Sequence, residues 1–336
     1  MKTFVAVDFH KSYSYGSIMN QAGEILKQGR FANHPEALGK FLGEFAGPDC
    51  SAVLEATRGW SVMHDWLEDV AGQVTLAHPL KVKAIAEARI KTDKVDAQTL
   101  AHLLRCDLIP AAHVCSPQAR LLRRVLRHRM FLVSVRTMAK NRIHDLLDRY
   151  PLIRAQWQAE ELFSKLGITW MRQIELPAPE RLILDSELQM LEHLNLLVKE
   201  AEAYLQEVGS RDVRVRNLMT IPGIGKTLAM LVVAEIDDVR RFARVESLHA
   251  YAGLVPSTYS SGGHTQHGAI IKTSNKYLRW AMIEAVWPAI RTDVGLSQFY
   301  HRLAARKPTN TARVATARRL LTIVYRVLTE NREYRP

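Results

Sequence analysis

Four carboxylates in the first hundred residues occupy positions where they could bind divalent metal ions. Asp8 and Glu55 each follow a short apolar run, and Asp93 and Asp96 open a segment whose apolar residues recur with a helical period. Mg²⁺ prefers oxygen ligands, and a pair of ions about 3.5 to 4 Å apart needs several carboxylates in fixed geometry. Carboxylates at strand ends are costly to bury without a partner. The pattern therefore predicts a magnesium site with two ions.

The residues around these carboxylates leave alternatives open. A spacing of three places Asp93 and Asp96 on one helical face, where like charges destabilise a helix unless a cation lies between them. Alternatively, Asp93 caps the helix after Thr92, and Asp96 is solvated and screened by the neighbouring lysines. Two polar residues that follow Asp8 and Phe9, His10 and Lys11, contact substrate phosphate or form a solvated strand end.

The elements that must position the carboxylates alternate between strand-like and helix-like patterns up to about residue 108. Residues 3–9, 14–20 and 24–31 predict three strands, and a turn-rich link at 20–23 favours an antiparallel hairpin. Helical and strand patterns then alternate, at 35–45, 51–56, 60–70, 73–77 and from 79 onward. Three strands followed by alternating helix and strand are the order expected of a ribonuclease-H-like fold.

The charge of the chain favours a polyanionic partner. Lys and Arg outnumber Asp and Glu by 46 to 34 among 336 residues, giving a net charge of +12 and a pI near 9.7. Nucleic acid and a membrane surface are the competing polyanions. Since no apolar run approaches the length of a spanning helix and no signal peptide opens the chain, we expect a soluble cytoplasmic protein without membrane association.

The length and the cysteines set two further bounds. A chain of this size exceeds the usual single core, so two domains and a connector are expected. Cys50, Cys106 and Cys115 are odd in number and lack zinc-ligand spacing, which predicts buried free thiols rather than disulfides or a zinc site.

Two long helices are predicted in the middle of the chain. The first, at 118–149, carries nine basic residues against two acidic ones, and this face repels itself unless a polyanion covers it. The second, from about 179 to 207, has apolar residues at seven-residue spacing. These heptads suit a coiled coil, within the chain or between protomers, or a stripe that packs on the protein's own helices.

A compact helical domain is predicted from Arg214 onward, and a glycine-containing turn lies near its start. In the segment 221–227, Thr220 stands where a P-loop needs its first glycine, so a nucleotide-binding loop is disfavoured. A helix-hairpin-helix turn fits better, with glycines that let backbone N–H groups and Lys226 approach a phosphate.

A Gly/Ser-rich insertion at 257–268 interrupts this domain. Ser260 and Ser261 stand before a glycine pair, with Lys272, Lys276 and Arg279 following. A serine in such a flexible loop could attack a phosphodiester and form a phosphoserine link to DNA. The alternative is a linker without catalytic function.

These segments together resemble the DEDD transposases of the insertion-sequence 110 family, which include the Piv-type DNA invertases. The resemblance covers nearly the whole chain and depends on the order and separation of four stretches: Val7 to Lys11, Leu54 to Thr57, Lys91 to Ala97, and Gly253 to Arg279 with its Ser260-Ser261-Gly262.

The resemblance implies an α/β plus all-α architecture in three parts. Residues 1–110 are a RuvC-like catalytic domain, 111–212 a long-helix connector that is first basic and then coiled-coil-like, and 213–336 a helical transposase domain with the hairpin turn and the serine loop. Asp8, Glu55, Asp93 and Asp96 are implied to bind Mg²⁺. The family places its nucleophilic serine directly before glycine, which favours Ser261 while leaving Ser260 open.

The partners that the resemblance implies are donor and target DNA, a structured guide or bridge RNA encoded by the element, and further copies of the chain in a dimer or tetramer. In such an oligomer the acidic site of one protomer meets the serine of another. Nucleic-acid backbones would be held by a set of basic side chains: Lys11, Arg120, Arg123, Arg124, Arg127, Lys140, Arg142, Lys226, Lys272, Lys276 and Arg279.

The leading hypothesis is a site-specific recombinase of an insertion sequence that cuts and rejoins strands with metal-bound carboxylates and a serine. One alternative is a RuvC-like nuclease that hydrolyses branched DNA with water as the nucleophile, and another is a Piv-type invertase. A third is a nucleic-acid-binding protein without catalytic activity, whose carboxylates only cap helices and face solvent.

Overall fold

The computed structural model describes residues 2–86, 92–157, 161–209, 211–261, 264–271 and 273–335. The chain divides into two compact units, Met1–Val114 and Cys115–Pro336. The finer division into three parts at residues 110 and 212 stays a prediction.

The N-terminal unit contains a five-stranded mixed sheet. Its strands are β1 (Thr3–Phe9), β2 (Tyr13–Met19), β3 (Ile25–Ala32), β4 (Gly47–Glu55) and β5 (Ala71–Ala77). Their order across the sheet is β3-β2-β1-β4-β5. The first three strands pair antiparallel, whereas β4 runs parallel to β1 and β5 runs parallel to β4. The predicted three-strand start and the alternation that follows are confirmed.

Helices cover both faces of this sheet. They are α1 (Pro35–Leu42), α2 (Trp60–Glu68), α3 (Pro79–Ile85) and α4 (Asp93–Arg105). Successive side chains of a strand point to opposite faces, so Val5 and Val7 of β1 pack with α1 and α2, whereas Phe4 and Ala6 pack with α3 and α4. The apolar run of β1 is therefore continuous because both of its faces are buried.

The C-terminal unit is helical and begins with a long helix. Its helices are α5 (Pro117–Asp148), α6 (Pro151–Arg154), α7 (Lys165–Gln173), α8 (Ala178–Gly209), α9 (Val213–Met219), α10 (Lys226–Ile236), α11 (Val245–Ala252), α12 (Lys276–Thr292), α13 (Val294–Ala304) and α14 (Thr309–Glu330). Among the described residues, none of the helices combines the length and the apolar character needed to cross a bilayer.

The heptad stripe of α8 packs against α5 of the same chain. Leu184 and Leu191 are buried with Ile143, and Val198 is buried with Leu132. Residues late in α8 thus meet residues early in α5, so the two helices run antiparallel. Of the alternatives that the sequence left open, the structure shows packing within the chain.

Two expectations about this part of the chain are corrected. The Gly/Ser-rich insertion is not a loop throughout, because β6 (Pro256–Ser261) and β7 (His264–Ile270) form an antiparallel hairpin. The expected burial of all three thiols is also wrong. Cys50 and Cys115 are buried, but Cys106 is exposed because it follows the last turn of α4.

The basic residues of α5 are partly neutralised by carboxylates of the same unit. Arg127 forms a bidentate salt bridge with Glu235 of α10, and both hydrogen bonds are 2.9 Å long. The side chain of Glu235 is 0% exposed. Arg129 pairs with Glu202 and Arg142 with Glu187, both on α8. Internal ion pairs therefore relieve much of the repulsion for which the sequence invoked a polyanion.

We predict that two ion pairs made by arginines of α5 contribute differently to stability, because the carboxylate of one is buried and that of the other is exposed. Glu235→Ala removes the acceptor of Arg127 and the counter-charge of Arg123, whose side chain is 12% exposed, and should lower the free energy of unfolding by about 3 to 5 kcal/mol. Glu202→Ala removes a carboxylate that is 44% exposed and should cost less than about 1 kcal/mol. Urea unfolding of both variants and the wild type measures the difference, and equal losses would contradict the assignment of Glu235 as a core ion pair.

Candidate active site

Parallel pairing places Asp8 and Glu55 side by side at the ends of β1 and β4. Val7 of β1 lies opposite Leu54 of β4 in the register, and both pack on the face covered by α1 and α2. The next residue of each strand, Asp8 and Glu55, therefore points to the other face, on which α4 packs. Adjacent strands lie about 4.8 Å apart, so the two carboxylates emerge as neighbours.

The N-terminus of α4 brings the other two carboxylates to the same face. Thr92 is the N-cap, and its side chain accepts a hydrogen bond from the backbone N–H of Val95 at 3.2 Å. Thr92 rather than Asp93 thus caps the helix, and Asp93 and Asp96 occupy its first turn. Backbone N–H groups and the helix dipole favour negative charge there, so the start of the helix stabilises both carboxylates.

His10 bridges the strand carboxylate and the helix carboxylate. Its Nε2 lies 3.1 Å from Oδ2 of Asp8 and 3.4 Å from Oδ1 of Asp93. Asp8, His10 and Asp93 each offer a ligand atom within 4.8 Å of one another. On Asp93, the other carboxylate oxygen accepts a hydrogen bond from the hydroxyl of Tyr13 at 2.8 Å and lies 3.6 Å from Nη2 of Arg30. The described residues therefore gather anionic oxygens around one partly exposed position.

The two bridged carboxylates have opposite electrostatic environments. Burial raises the pKa of Asp8, and the negative charges of Asp93 and Asp96 raise it further, against the opposing effect of His10. The hydrogen bond from Tyr13 lowers the pKa of Asp93, helped by His10 and Arg30. Of these two carboxylates, Asp8 is thus the one whose ionised form the surroundings disfavour. A cation at this position would stabilise the ionised form of Asp8.

Tyr13 and Arg30 are functional candidates that sequence reasoning missed. Asp8 lies opposite Tyr15 in the β1–β2 register, and Tyr15 lies opposite Arg30 in the β2–β3 register. Residues opposite each other in an antiparallel pair share a face, and Tyr13 shares it because it is two residues from Tyr15. The alternation of side chains along the three strands contained this signal. It could be used only once the pairing register between the strands was known.

Several of the predicted nucleic-acid-binding residues make contacts within the C-terminal unit. Arg123 lies 3.5 Å from Glu235, next to the Arg127 pair, and Arg142 is bonded to Glu187. Lys226 donates to the carbonyl of Gln206 at 3.2 Å. These contacts give the four side chains a structural role, and their binding role stays a prediction.

The remaining basic candidates differ in exposure. Lys11 and Arg124 are exposed, and Arg120 is half-buried. Lys140 lies 4.7 Å from the ring centroid of Phe163, where burial lowers its pKa. Lys276 is exposed beside the ring of Tyr277, whereas Lys272 lies outside the described residues.

The turn that carries Lys226 joins two helices, as the hairpin interpretation predicts. It connects α9 to α10, and Gly223 within it adopts a φ of +85°. A Cβ atom at this position would lie 2.3 Å from the backbone oxygen of Ala285. Glycine is therefore required by both conformation and close packing, which explains this residue without a phosphate ligand.

Both candidate serines lie at the end of strand β6. In the hairpin register Ser260 pairs with Thr265 and Ser261 with His264. The side chains of the two serines lie outside the described part of the structure, so the choice between them stays a prediction.

Comparison with known families covers both units. The model of a DEDD transposase family of the IS110 type matches residues 5–151, which include all four carboxylates. A second model, described as the transposase IS116/IS110/IS902 family, matches residues 215–301, which include the serine hairpin. The chain belongs to the IS110 family of insertion-sequence transposases.

Several transposases of known sequence align with most of the chain. A probable family 20 transposase of Pseudomonas aeruginosa is 28% identical over 86% of this chain and 87% of its own. The transposase of insertion sequence IS1328 from Yersinia enterocolitica is 25% identical over 98% and 97%, and that of IS1111A from Coxiella burnetii is 26% identical over 84% and 79%. The similarity therefore extends through both units.

The raised pKa of Asp8 predicts a pH-dependent cost to folding. The folded protein binds this proton more tightly than the unfolded chain does, so ionisation lowers stability as the pH rises from the ordinary value of 3.8 through the folded-state pKa. Asp8→Asn should therefore raise the Tm at neutral pH in metal-free buffer, and the gain should shrink as the pH falls toward that ordinary value.

The matched control for this measurement is Asp69→Asn, which changes an exposed carboxylate at the end of α2. It should give no gain that depends on pH in this way. If Asp8→Asn were no more stable than the wild type in chelator at neutral pH, the charge of Asp8 would be compensated by other groups.

Proposed function

We propose that this IS110-family transposase recombines DNA at a specific site, with Asp8, Glu55, Asp93 and Asp96 as metal ligands and Ser261 as the nucleophile. The observation that carries the proposal is the convergence of Asp8 with Asp93 of α4 around His10, with ligand atoms within 4.8 Å of one another, in a chain of this family. A fold that collects like charges at one partly buried position gains stability when a cation binds there.

The donor set fits Mg²⁺. Four carboxylates supply the oxygen ligands that this ion prefers, and the half-exposed position of Asp8, Glu55 and Asp93 leaves room for water and phosphate oxygens. When bound, a pair of Mg²⁺ ions would polarise the scissile phosphate and stabilise its developing charge. His10 is a poorer ligand for this ion, and we assign it to contact with the substrate phosphate. The strand order and the placement of α4 also support a RuvC-like fold for this unit.

The proposed cleavage exchanges one phosphoester for another. The Oγ of Ser261 attacks the phosphorus, the bond from phosphorus to the 3′-oxygen breaks, and the serine proton ends on that oxygen. The 5′-phosphate stays on the serine, so the bond energy is conserved. A 3′-hydroxyl of another strand end then attacks the phosphoserine and releases the enzyme, which completes rejoining.

Three other functions make different demands on the same residues. A RuvC-like hydrolase of branched DNA needs the carboxylates but no serine, and a Piv-type invertase needs both and differs in the arrangement of its sites. A binding protein without catalytic activity needs neither, and family membership disfavours it. The serine is thus the residue that separates recombination from hydrolysis.

We predict that Ser261→Ala abolishes the covalent protein–DNA adduct and strand joining, because the substitution removes the proposed nucleophilic oxygen. Ser260→Ala is the matched control, since it removes the neighbouring hydroxyl of the same strand, and it should retain the adduct. Denaturing gel electrophoresis of labelled donor DNA, incubated with Mg²⁺ or with chelator, measures both.

Each outcome of this assay decides between functions. Adduct loss in Ser260→Ala instead of Ser261→Ala would identify Ser260 as the nucleophile. Continued cutting in the double variant without an adduct would identify a hydrolase. Asp8→Asn should abolish cutting in all backgrounds, and unchanged cutting would remove Asp8 from the active site.

We further propose a structured guide RNA and an oligomer as partners, supported by the net charge of +12 and by exposed basic residues such as Arg124. Gentle purification without nuclease should recover one defined RNA species, identified by sequencing. Each phosphate contact contributes to the salt dependence of binding. Arg124→Gln should therefore reduce the slope of log affinity against log salt concentration by the contribution of about one phosphate contact. Recovery of only random cellular RNA would contradict a dedicated guide.

A further inference from the structure

A single buried residue, Glu235, is bonded to both ends of the segment that carries the candidate serine, through its carboxylate at one end and through its backbone oxygen at the other. Glu235 of α10 is 0% exposed and lies in the C-terminal unit together with the serine hairpin. Tyr251, in the last turn of α11, precedes β6, and Asn275, the N-cap of α12, follows β7. Both of these residues contact Glu235.

The contacts form a closed network. The amide Nδ2 of Asn275 donates to Oε2 of Glu235 at 2.8 Å and lies 2.9 Å from the hydroxyl of Tyr251. That hydroxyl donates to the backbone oxygen of Glu235 at 3.2 Å. The backbone N–H of Asn275 also donates to the backbone oxygen of Tyr251 at 2.8 Å. The two roots of the hairpin are thereby tied to each other and to α10.

Asn275 uses both ends of its side-chain amide. Its Oδ1 accepts hydrogen bonds from the backbone N–H groups of Tyr277 at 3.1 Å and Leu278 at 3.0 Å, which caps α12. Its Nδ2 is left to bind Glu235. Serine or aspartate would cap the helix equally well, so the cap does not explain an amide here, whereas the bond to a buried carboxylate does.

Two arginines of α5 fix the orientation of Glu235. Arg127 holds both carboxylate oxygens at 2.9 Å, and its guanidinium lies 4.3 Å from the ring centroid of Tyr277. Arg123 donates to the backbone oxygen of Glu235 at 2.9 Å. Because Arg127 binds both carboxylate oxygens and Arg123 binds the backbone oxygen, the side chain of Glu235 has little freedom to rotate. It therefore holds the amide of Asn275 in a fixed position.

The second root of the hairpin has one more restraint. The guanidinium of Arg279 donates to the backbone oxygen of Ile271 at 3.0 Å and to the hydroxyl of Ser274 at 2.9 Å. Arg279 is therefore engaged in shaping the chain that leaves β7. Together with Asn275, it restrains the segment from Ile271 to α12.

We propose that Glu235 is a positioning residue for the serine hairpin, acting through Asn275 and Tyr251. The inference builds on the proposed function, because it assigns the hairpin the task of presenting a nucleophile. The carboxylate of Glu235 is paired with Arg127 at hydrogen-bond distance, and Arg123 lies 3.5 Å away, so its charge is satisfied within the fold and the contact with Asn275 sets geometry. A small displacement of a nucleophile greatly lowers the reaction rate, so a rigidly held hairpin root favours catalysis.

The decisive variant is Asn275→Ser. Serine retains the helix cap but has no amide to reach Glu235, so α12 should stay folded while the hairpin loses its anchor. Tyr334→Phe is the matched control, because it removes one hydrogen bond, from the hydroxyl of Tyr334 to Asp293 at 2.7 Å, at the opposite end of the same helix. Tyr251→Phe tests the other root.

Two readouts separate positioning from general destabilisation. Backbone hydrogen exchange of 256–261 and 264–270, normalised to that of α10, should be faster by about tenfold in Asn275→Ser and unchanged in Tyr334→Phe. The first-order rate of adduct formation at saturating DNA should fall by about tenfold or more in Asn275→Ser, with DNA affinity unchanged.

Hairpin exchange equal to that of the control variant would overturn the proposal. So would a loss of adduct that arises only from weaker DNA binding. The failure of the proposed function is distinguishable, because the wild type would then form no serine adduct, whereas the exchange measurement would still decide whether Glu235 anchors the hairpin.

Discussion

The parallel pairing of β1 with β4 is the constraint on which the candidate active site depends. It sets Asp8 beside Glu55 on one face of the sheet, while Val7 and Leu54 bury the opposite face. A shift of one residue in this register would send a carboxylate into the apolar layer under α1 and α2, at a large energetic cost. The hydrophobic core therefore fixes the position of the acidic residues, and α4 can complete the site only on the face that remains.

Two carboxylates of the chain have contrasting environments. Glu235 is surrounded by donors from α5 and α12, so its charge is satisfied within the fold. The half-buried Asp8 pairs with His10, and its pKa is raised by burial and by the like charges of α4. A carboxylate with satisfied partners holds geometry, whereas one whose ionised form is disfavoured gains from a bound cation. This contrast is consistent with a structural role for Glu235 and with the proposed metal-binding role for Asp8.

Particular residues show how far sequence reasoning could go. The strands of the N-terminal unit were predictable because apolar runs and turn residues are local signals, and the family signature depended on short motifs. Tyr13 and Arg30 were missed because only the pairing register of the strands brings them next to Asp93. The basic face of α5 was interpreted as a surface for polyanions, but Arg127 and Arg142 find their partners on α10 and α8. Sequence separation hides such pairs, since nothing local marks Glu235 or Glu187 as their acceptors.

The sequence by itself determined the carboxylates, the serine pair, the order of strands and helices in the N-terminal unit, and the family, because each of these is encoded in residue type and short-range spacing. Only the tertiary structure decided which face of the sheet carries Asp8, that the heptads of α8 pack on α5, and that Glu235 joins both roots of the hairpin. These outcomes depend on contacts between residues far apart in the chain. The energies of such contacts are determined by the packing of the whole core, which also decides whether each buried charge has a partner.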